Sequence, residues 1–111
     1  MKIYIICPVR KSSPSRTQKI RGYVEQMRNN GHLVHFPPDD VPQNDPTGKA
    51  ICAAHRAVME NADEIHVFWD VRSSGSHFDL GMAYALGKRI VPITCDPPDV
   101  DGKSYWKVIC T

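Results

Sequence analysis

Four short runs rich in β-branched and aromatic residues, "KIYIIC", "HLVHF", "EIHVFW" and "RIVPIT", are separated by segments long enough for helices. Strands and helices are therefore predicted to alternate along the chain. Between the first two runs Ile20, Tyr23, Val24 and Met27 recur at helical spacing, and "NNG" at 29–31 supplies a stop, which places a first helix from Pro14 to Asn30. A second apolar stripe, Ile51, Ala54, His55, Val58 and Ala62, predicts a helix over about 48 to 61 with Thr47 as its cap. Phe78, Met82, Ala85 and Leu86 line a third helix, which Gly87 ends. The last segment, "SYWKVIC", fits a strand or a helical turn and is read as a fifth strand. "PPDDVPQNDP", residues 37–46, is read as a rim or lid loop, because its four prolines interrupt helix and sheet hydrogen bonding alike.

Near-continuous apolar strands alternating with helices imply a parallel sheet covered on both faces, since each right-handed crossover lays its helix over the sheet. The predicted fold class is α/β: a single doubly wound, flavodoxin- or Rossmann-like parallel sheet of about five strands, order 2-1-3-4-5, helices on both faces. At 111 residues the chain forms one domain, 1–111. In such sheets ligands bind beyond the carboxyl ends of the strands where the order reverses, here between strands one and three. That crevice is expected between "CPVRKSSPSR" (7–16) and "DVRSSGSHFD" (70–79).

Composition removes several function classes. A net charge of +2 is far from the concentrated positive surface that phosphate-backbone binding requires, so no nucleic-acid partner is expected. Cys7, Cys52, Cys95 and Cys110 form no CxxC pair and no cluster with histidines at ligand spacing, so no metal site is expected and the thiols are read as reduced. No apolar run reaches membrane-spanning length and "MKIYIIC" lacks a signal-peptide pattern, which makes a cytoplasmic protein without a membrane partner the expectation.

The richest chemistry lies in "FWDVRSSGSHFDLGMAYALGK", residues 68–88. Ser76-x-x-Asp79 matches a capping box, which would make Asp79 a structural acid of a first helical turn. The same location favours an ionised carboxylate and offers free N–H groups to an anion, so capping and chemistry are compatible. His77 points around the helix from Asp79, and His32, His35, His55 and His66 lack matched spacing and are read as structural. Phe36 and Trp69 offer rings for stacking on a base, with core packing as the alternative.

The segment "SSGSHFDLGMAYALGK" resembles the S-G-T-x-x-E-x-G-x-A-x-A-x-G-K element of the nucleoside 2-deoxyribosyltransferase family, which includes small nucleotide N-glycosidases. "KIYIICPVR" and "ENADEIHVFWD" resemble that family's first strand and loop and the strand preceding its site. The resemblance implies that Asp79 stands where the family carries a glutamate that attacks the anomeric carbon, one methylene shorter here. It implies that Tyr4 holds the nucleophile by a hydrogen bond. Ser73 occupies the place of a further family acid, and Asp70 is the nearest substitute, to protonate the departing base or bind sugar hydroxyls.

Ser74, Gly75 and Ser76 match the family's turn and are expected, with Cys7 and Pro8, to line the substrate crevice; Arg10, Arg16 and Arg72 are expected to add contacts to a 5′-phosphate. The implied activity is cleavage or transfer of the N-glycosidic bond of a nucleoside or nucleoside 5′-monophosphate, with no cofactor and no metal. The alternative is a non-catalytic nucleotide- or nucleoside-binding module with the same crevice; a purely structural interaction domain is a third reading. Family members are commonly oligomeric, so a homodimer or higher homo-oligomer is expected.

Overall fold

The computed structural model describes residues 1–9 and 12–110. Its elements are β1 (Lys2–Ile6), α1 (Pro14–Asn29), β2 (Leu33–His35), α2 (Pro37–Asp40), α3 (Lys49–Asn61), β3 (Glu64–Trp69), α4 (Ser74–Ala85), β4 (Arg89–Cys95) and α5 (Tyr105–Cys110). The strands form one parallel sheet in the order β2-β1-β3-β4. Tyr4 pairs with His35 on one side and with Ile65 on the other, so β1 is central.

The side-chain alternation of β1 and β3 builds two cores. Tyr4, Ile6, Ile65, Val67 and Trp69 face Met59 of α3, Ala62 just past its end, and Leu80 and Ala83 of α4. Ile3, Ile5, Cys7 and Phe68 face Ile20 and Val24 of α1, with Phe36 beside them. Each fully buried aliphatic chain here contributes about 1.5–3 kcal/mol. Both faces are therefore covered, as a doubly wound sheet requires.

Three local expectations are corrected. The predicted fifth strand is α5, so among the described residues the sheet has four strands in the order 2-1-3-4. Trp106 and Ile109, three residues apart, both pack on the core, and the Ser104 hydroxyl accepts from Lys107 N–H at 3.2 Å. A spacing of three puts both side chains on one face of a helix, whereas in a strand they would point to opposite faces. Residues 37–40 of the predicted loop form α2, whose prolines sit where a helix start needs no N–H donor. Thr47 is not the N-cap residue of α3, which is Gly48 at φ 78°, although its hydroxyl accepts from Lys49 N–H at 3.3 Å; Asp45 reaches in from the loop to accept from Ala50 N–H at 2.7 Å and Ile51 N–H at 3.1 Å.

Helix α1 begins where the sequence indicated. The Ser13 hydroxyl accepts from Arg16 N–H at 3.2 Å and Pro14 occupies the first turn.

Candidate active site

The start of α4 decides what Asp79 is free to do. Its N-cap is Ser73, whose hydroxyl accepts from Ser76 N–H at 3.2 Å and donates to the Ser76 hydroxyl at 2.9 Å. Ser76 is therefore inside the helix and 2% exposed, and the predicted capping box does not form. Asp79 falls in the second turn, beyond reach of the helix's free N–H groups, and turns toward the sheet. It is 8% exposed.

Two side chains meet it there. The Tyr4 hydroxyl donates to Asp79 Oδ2 at 3.1 Å. His55 Nδ1, from α3, lies 3.2 Å from Oδ1 and 3.1 Å from Oδ2, straddling the carboxylate. Tyr4 is completely buried, and burial first, then the charge of Asp79, raises its pKa well above the ordinary phenol range. It stays a proton-bearing donor at any physiological pH. His35 stacks on the Tyr4 ring at 5.3 Å between centroids, and His55 meets its edge at 5.7 Å. Burial lowers the pKa of His35, and the neighbouring His55 adds to the effect while Asp40 opposes it.

Cys7 packs in the core on the α1 side of the sheet, its thiol pushed up to about 12 by burial and then by the charge of Asp79. Pro8 is buried with it. Ser74 and Gly75 are exposed on the first turn of α4, open to solvent at the carboxyl end of the sheet. Arg10 lies outside the described residues.

A second cluster forms around Asp70, which is 6% exposed. Its Oδ1 accepts from Arg72 N–H at 2.8 Å and Arg72 Nε at 3.0 Å, and its Oδ2 accepts from Arg16 Nη1 at 2.6 Å and Arg72 Nη2 at 3.2 Å. Four donors fill the four acceptor positions of a carboxylate. Burial alone would raise its pKa, but the hydrogen bonds from Arg72 and Arg16 prevail and hold it down to about 2. A carboxylate held ionised and saturated in this way is poorly placed to protonate a leaving base or to accept from a sugar hydroxyl unless Arg72, whose side chain is 68% exposed, swings aside.

Arg16 is committed as well. Its Nη2 donates to Trp69 C=O at 3.3 Å and Asp96 C=O at 2.9 Å, so the residue ties α1 to the ends of β3 and β4. Of the two described arginines expected at a phosphate, Arg72 is the accessible one. Phe36 and Trp69 are both 2% exposed and belong to the cores, which removes them as stacking surfaces for a base.

His55 was missed as a site residue. On the sequence it is one member of an apolar stripe, and burial at 8% agrees with that reading; its polar partner comes from a different helix. The only local signal was a titratable ring on a face otherwise made of Ile, Ala and Val.

A hollow of about 770 Å³ runs along β2, lined by Lys2, Arg28, His35 and Asp40 over Ile3, Val34, Val58 and Ala62. Another of about 310 Å³ lies under residues 41–46 against Ala50, Ile51 and Ala54. Asp79 lines neither, although His35 joins the first to the ring of Tyr4. Among the described residues no group of three or more His, Cys, Asp or Glu side chains is arranged to hold a metal ion, and no helix is long and apolar enough to cross a membrane.

No family model and no curated protein sequence matches the chain. Solved structures do. The CMP N-glycosidase of Clostridium botulinum superposes with a TM-score of 0.68 at 15% identity, covering 97% of this chain and 78% of that one. A 2-deoxyribosyltransferase from Bacillus psychrosaccharolyticus gives 0.70 at 16% identity over 98% of this chain and 90% of that one. A Leishmania mexicana 2-deoxyribosyltransferase gives 0.63 at 23% identity over 84% and 63%. At these identities the likeness is one of fold: the chain is built on the α/β architecture shared by these 2-deoxyribosyltransferase and N-glycosidase structures, in agreement with the resemblance carried by its residues 73–88.

Proposed function

We propose that the protein cleaves or exchanges the N-glycosidic bond of a nucleoside or nucleoside 5′-monophosphate, with Asp79 as nucleophile and Tyr4 holding it. The observation that carries this reading is the buried contact of 3.1 Å between the Tyr4 hydroxyl and Asp79 Oδ2, in a fold shared with enzymes that act on this bond. One carboxylate oxygen forms a bond to the anomeric carbon as the electrons of the C–N bond leave with the base. The glycosyl ester then passes to water or to a second base. Tyr4 fixes the rotamer of the attacking group, which converts binding into alignment.

Asp70 and Arg16 act one layer away, shaping the loop ends at the carboxyl edge of the sheet. Arg72 with Arg10, and the exposed first turn at Ser74 and Gly75, supply the contacts for a 5′-phosphate. The oligomer is a homodimer or larger. In support, α4 carries Phe78 and Tyr84 outward, 60% and 66% exposed, while its single charged residue, Asp79, points inward. A surface helix with its charge inside and its rings outside is built to be covered.

The second reading, a binding module without turnover, is favoured by the occupancy of Asp79: both oxygens already meet neighbours and little of the residue is exposed. Incubation with a panel of deoxynucleosides, ribonucleosides and their monophosphates, with free base followed by chromatography, separates the two. Base release that falls at least about 10³-fold in Asp79→Asn supports the enzyme. Ligand-dependent thermal stabilisation without any release supports the binder. Tighter binding of monophosphates than of nucleosides, erased in Arg10→Ala or Arg72→Ala, supports the phosphate contact; equal affinities in the wild type exclude it.

A further inference from the structure

We infer that His55 is the positioning residue of this site, holding Asp79 Oδ1 while Tyr4 holds Oδ2. The inference rests on the glycosidic reading above for its chemistry, but its geometry stands on the structure alone. His55 Nδ1 is hydrogen-bonded to Oδ1 at 3.2 Å and lies 3.1 Å from Oδ2, and the Tyr4 hydroxyl donates to Oδ2 at 3.1 Å; among the described residues these are the hydrogen bonds to the Asp79 carboxylate. Each carboxylate oxygen therefore has one partner, from a different element, and the two together fix the plane of the group.

The state of the ring follows from its other nitrogen. His55 is 8% exposed, and its Nε2 is buried without a hydrogen-bond partner among the described residues. An Nε2–H tautomer would set the bare Nδ1 lone pair against a carboxylate and strand a buried N–H. The Nδ1–H tautomer strands only an acceptor, the less costly of the two tautomers. Around the ring stand Tyr4 from β1, His35 from β2, Asp79 from α4 and Cys52 one turn earlier on α3. None of these offers Nε2 a hydrogen bond.

His55 does not touch the substrate in this scheme. It acts through Asp79, by holding the plane of the carboxylate across the Tyr4 axis so that the group does not rotate.

Long-range ¹⁵N–¹H correlation on the labelled full-length protein reads the ring directly. The expected result is a protonated Nδ1 for His55, shifting in Asp79→Asn. A bare Nδ1 overturns the inference. In base release, His55→Phe is expected to lower kcat about tenfold or more with KM nearly unchanged, and His55→Asn, whose amide can place an N–H near the Nδ1 position, to restore most of the loss. Equal rates for wild type and His55→Phe overturn the positioning role. A wild-type protein that releases no base, yet shows the Nδ1–H ring responding to Asp79→Asn, sinks the glycosidic reading while the geometric part of the inference stands.

Discussion

Tyr4 and Asp79 are separated by 75 residues and joined by one hydrogen bond of 3.1 Å, from the middle of the central strand to the second turn of α4. The bond is buried, so neither group has water as a substitute partner. Tyr4→Phe keeps the ring in the core and removes only the donor. It is expected to reduce stability by about 1–3 kcal/mol in urea denaturation and to slow base release by about tenfold or more. Unchanged kinetics would show that the phenol serves packing alone.

The bonds of Asp70 with Arg72 and Arg16 make stability depend on acid. The folded-state pKa of Asp70 lies below its unfolded value of 3.8, at about 2, so its contribution is complete above the unfolded value and disappears as pH falls through about 2. Its size is at most about 2 kcal/mol, because Arg72, one of the two partners, is largely exposed. Arg16→Ala should flatten the stability profile between about pH 4 and pH 2. It should also cost about 2–4 kcal/mol at pH 7, since the arginine serves two backbone carbonyls besides the carboxylate. Denaturant midpoints across that range, in wild type and variant, test both statements.

Lengthening Asp79 is not expected to improve it in its proposed role as nucleophile. With Tyr4 and His55 already within 3.2 Å of the carboxylate, an added methylene in Asp79→Glu overpacks the site and should cost about 1–3 kcal/mol. Pairing it with His55→Ala, which opens the space, should recover part of that loss. A double-mutant cycle with no coupling between positions 55 and 79 would contradict the shared packing.

The outer face of α4 gives the proposed oligomer a test. Phe78→Glu places a charge on that exposed face without touching the core, so sedimentation velocity should show a smaller species with an unchanged far-ultraviolet spectrum. A wild-type protein that is monomeric at micromolar concentration would refute the proposed assembly.

Much of the fold was legible because its signals are local. The β-rich runs located all four strands, apolar spacing located α1, α3 and α4, and the two-faced burial followed from alternating strands and helices. The terminal segment misled because "SYWKVIC" is short enough for its apolar positions to fit either period. Only the docking of Trp106 and Ile109 on one side of the core selects the helix. The cap of α4 misled for a related reason: both Ser73 and Ser76 are competent caps, and the choice depends on where β3 ends and how its turn delivers the chain.

By itself, the sequence determined the order of the four strands and of α1, α3 and α4 and the parallel sheet, and its family resemblance named Tyr4 and Asp79 as partners worth testing. The tertiary structure decided which groups surround the carboxylate. It brought His55 to Asp79 from another helix, saturated Asp70 with two arginines and buried Phe36 and Trp69 in the cores. Periodicity reports that a position faces inward. What it faces depends on how separate elements pack, and that information is spread over the whole chain rather than held in any one stretch of it.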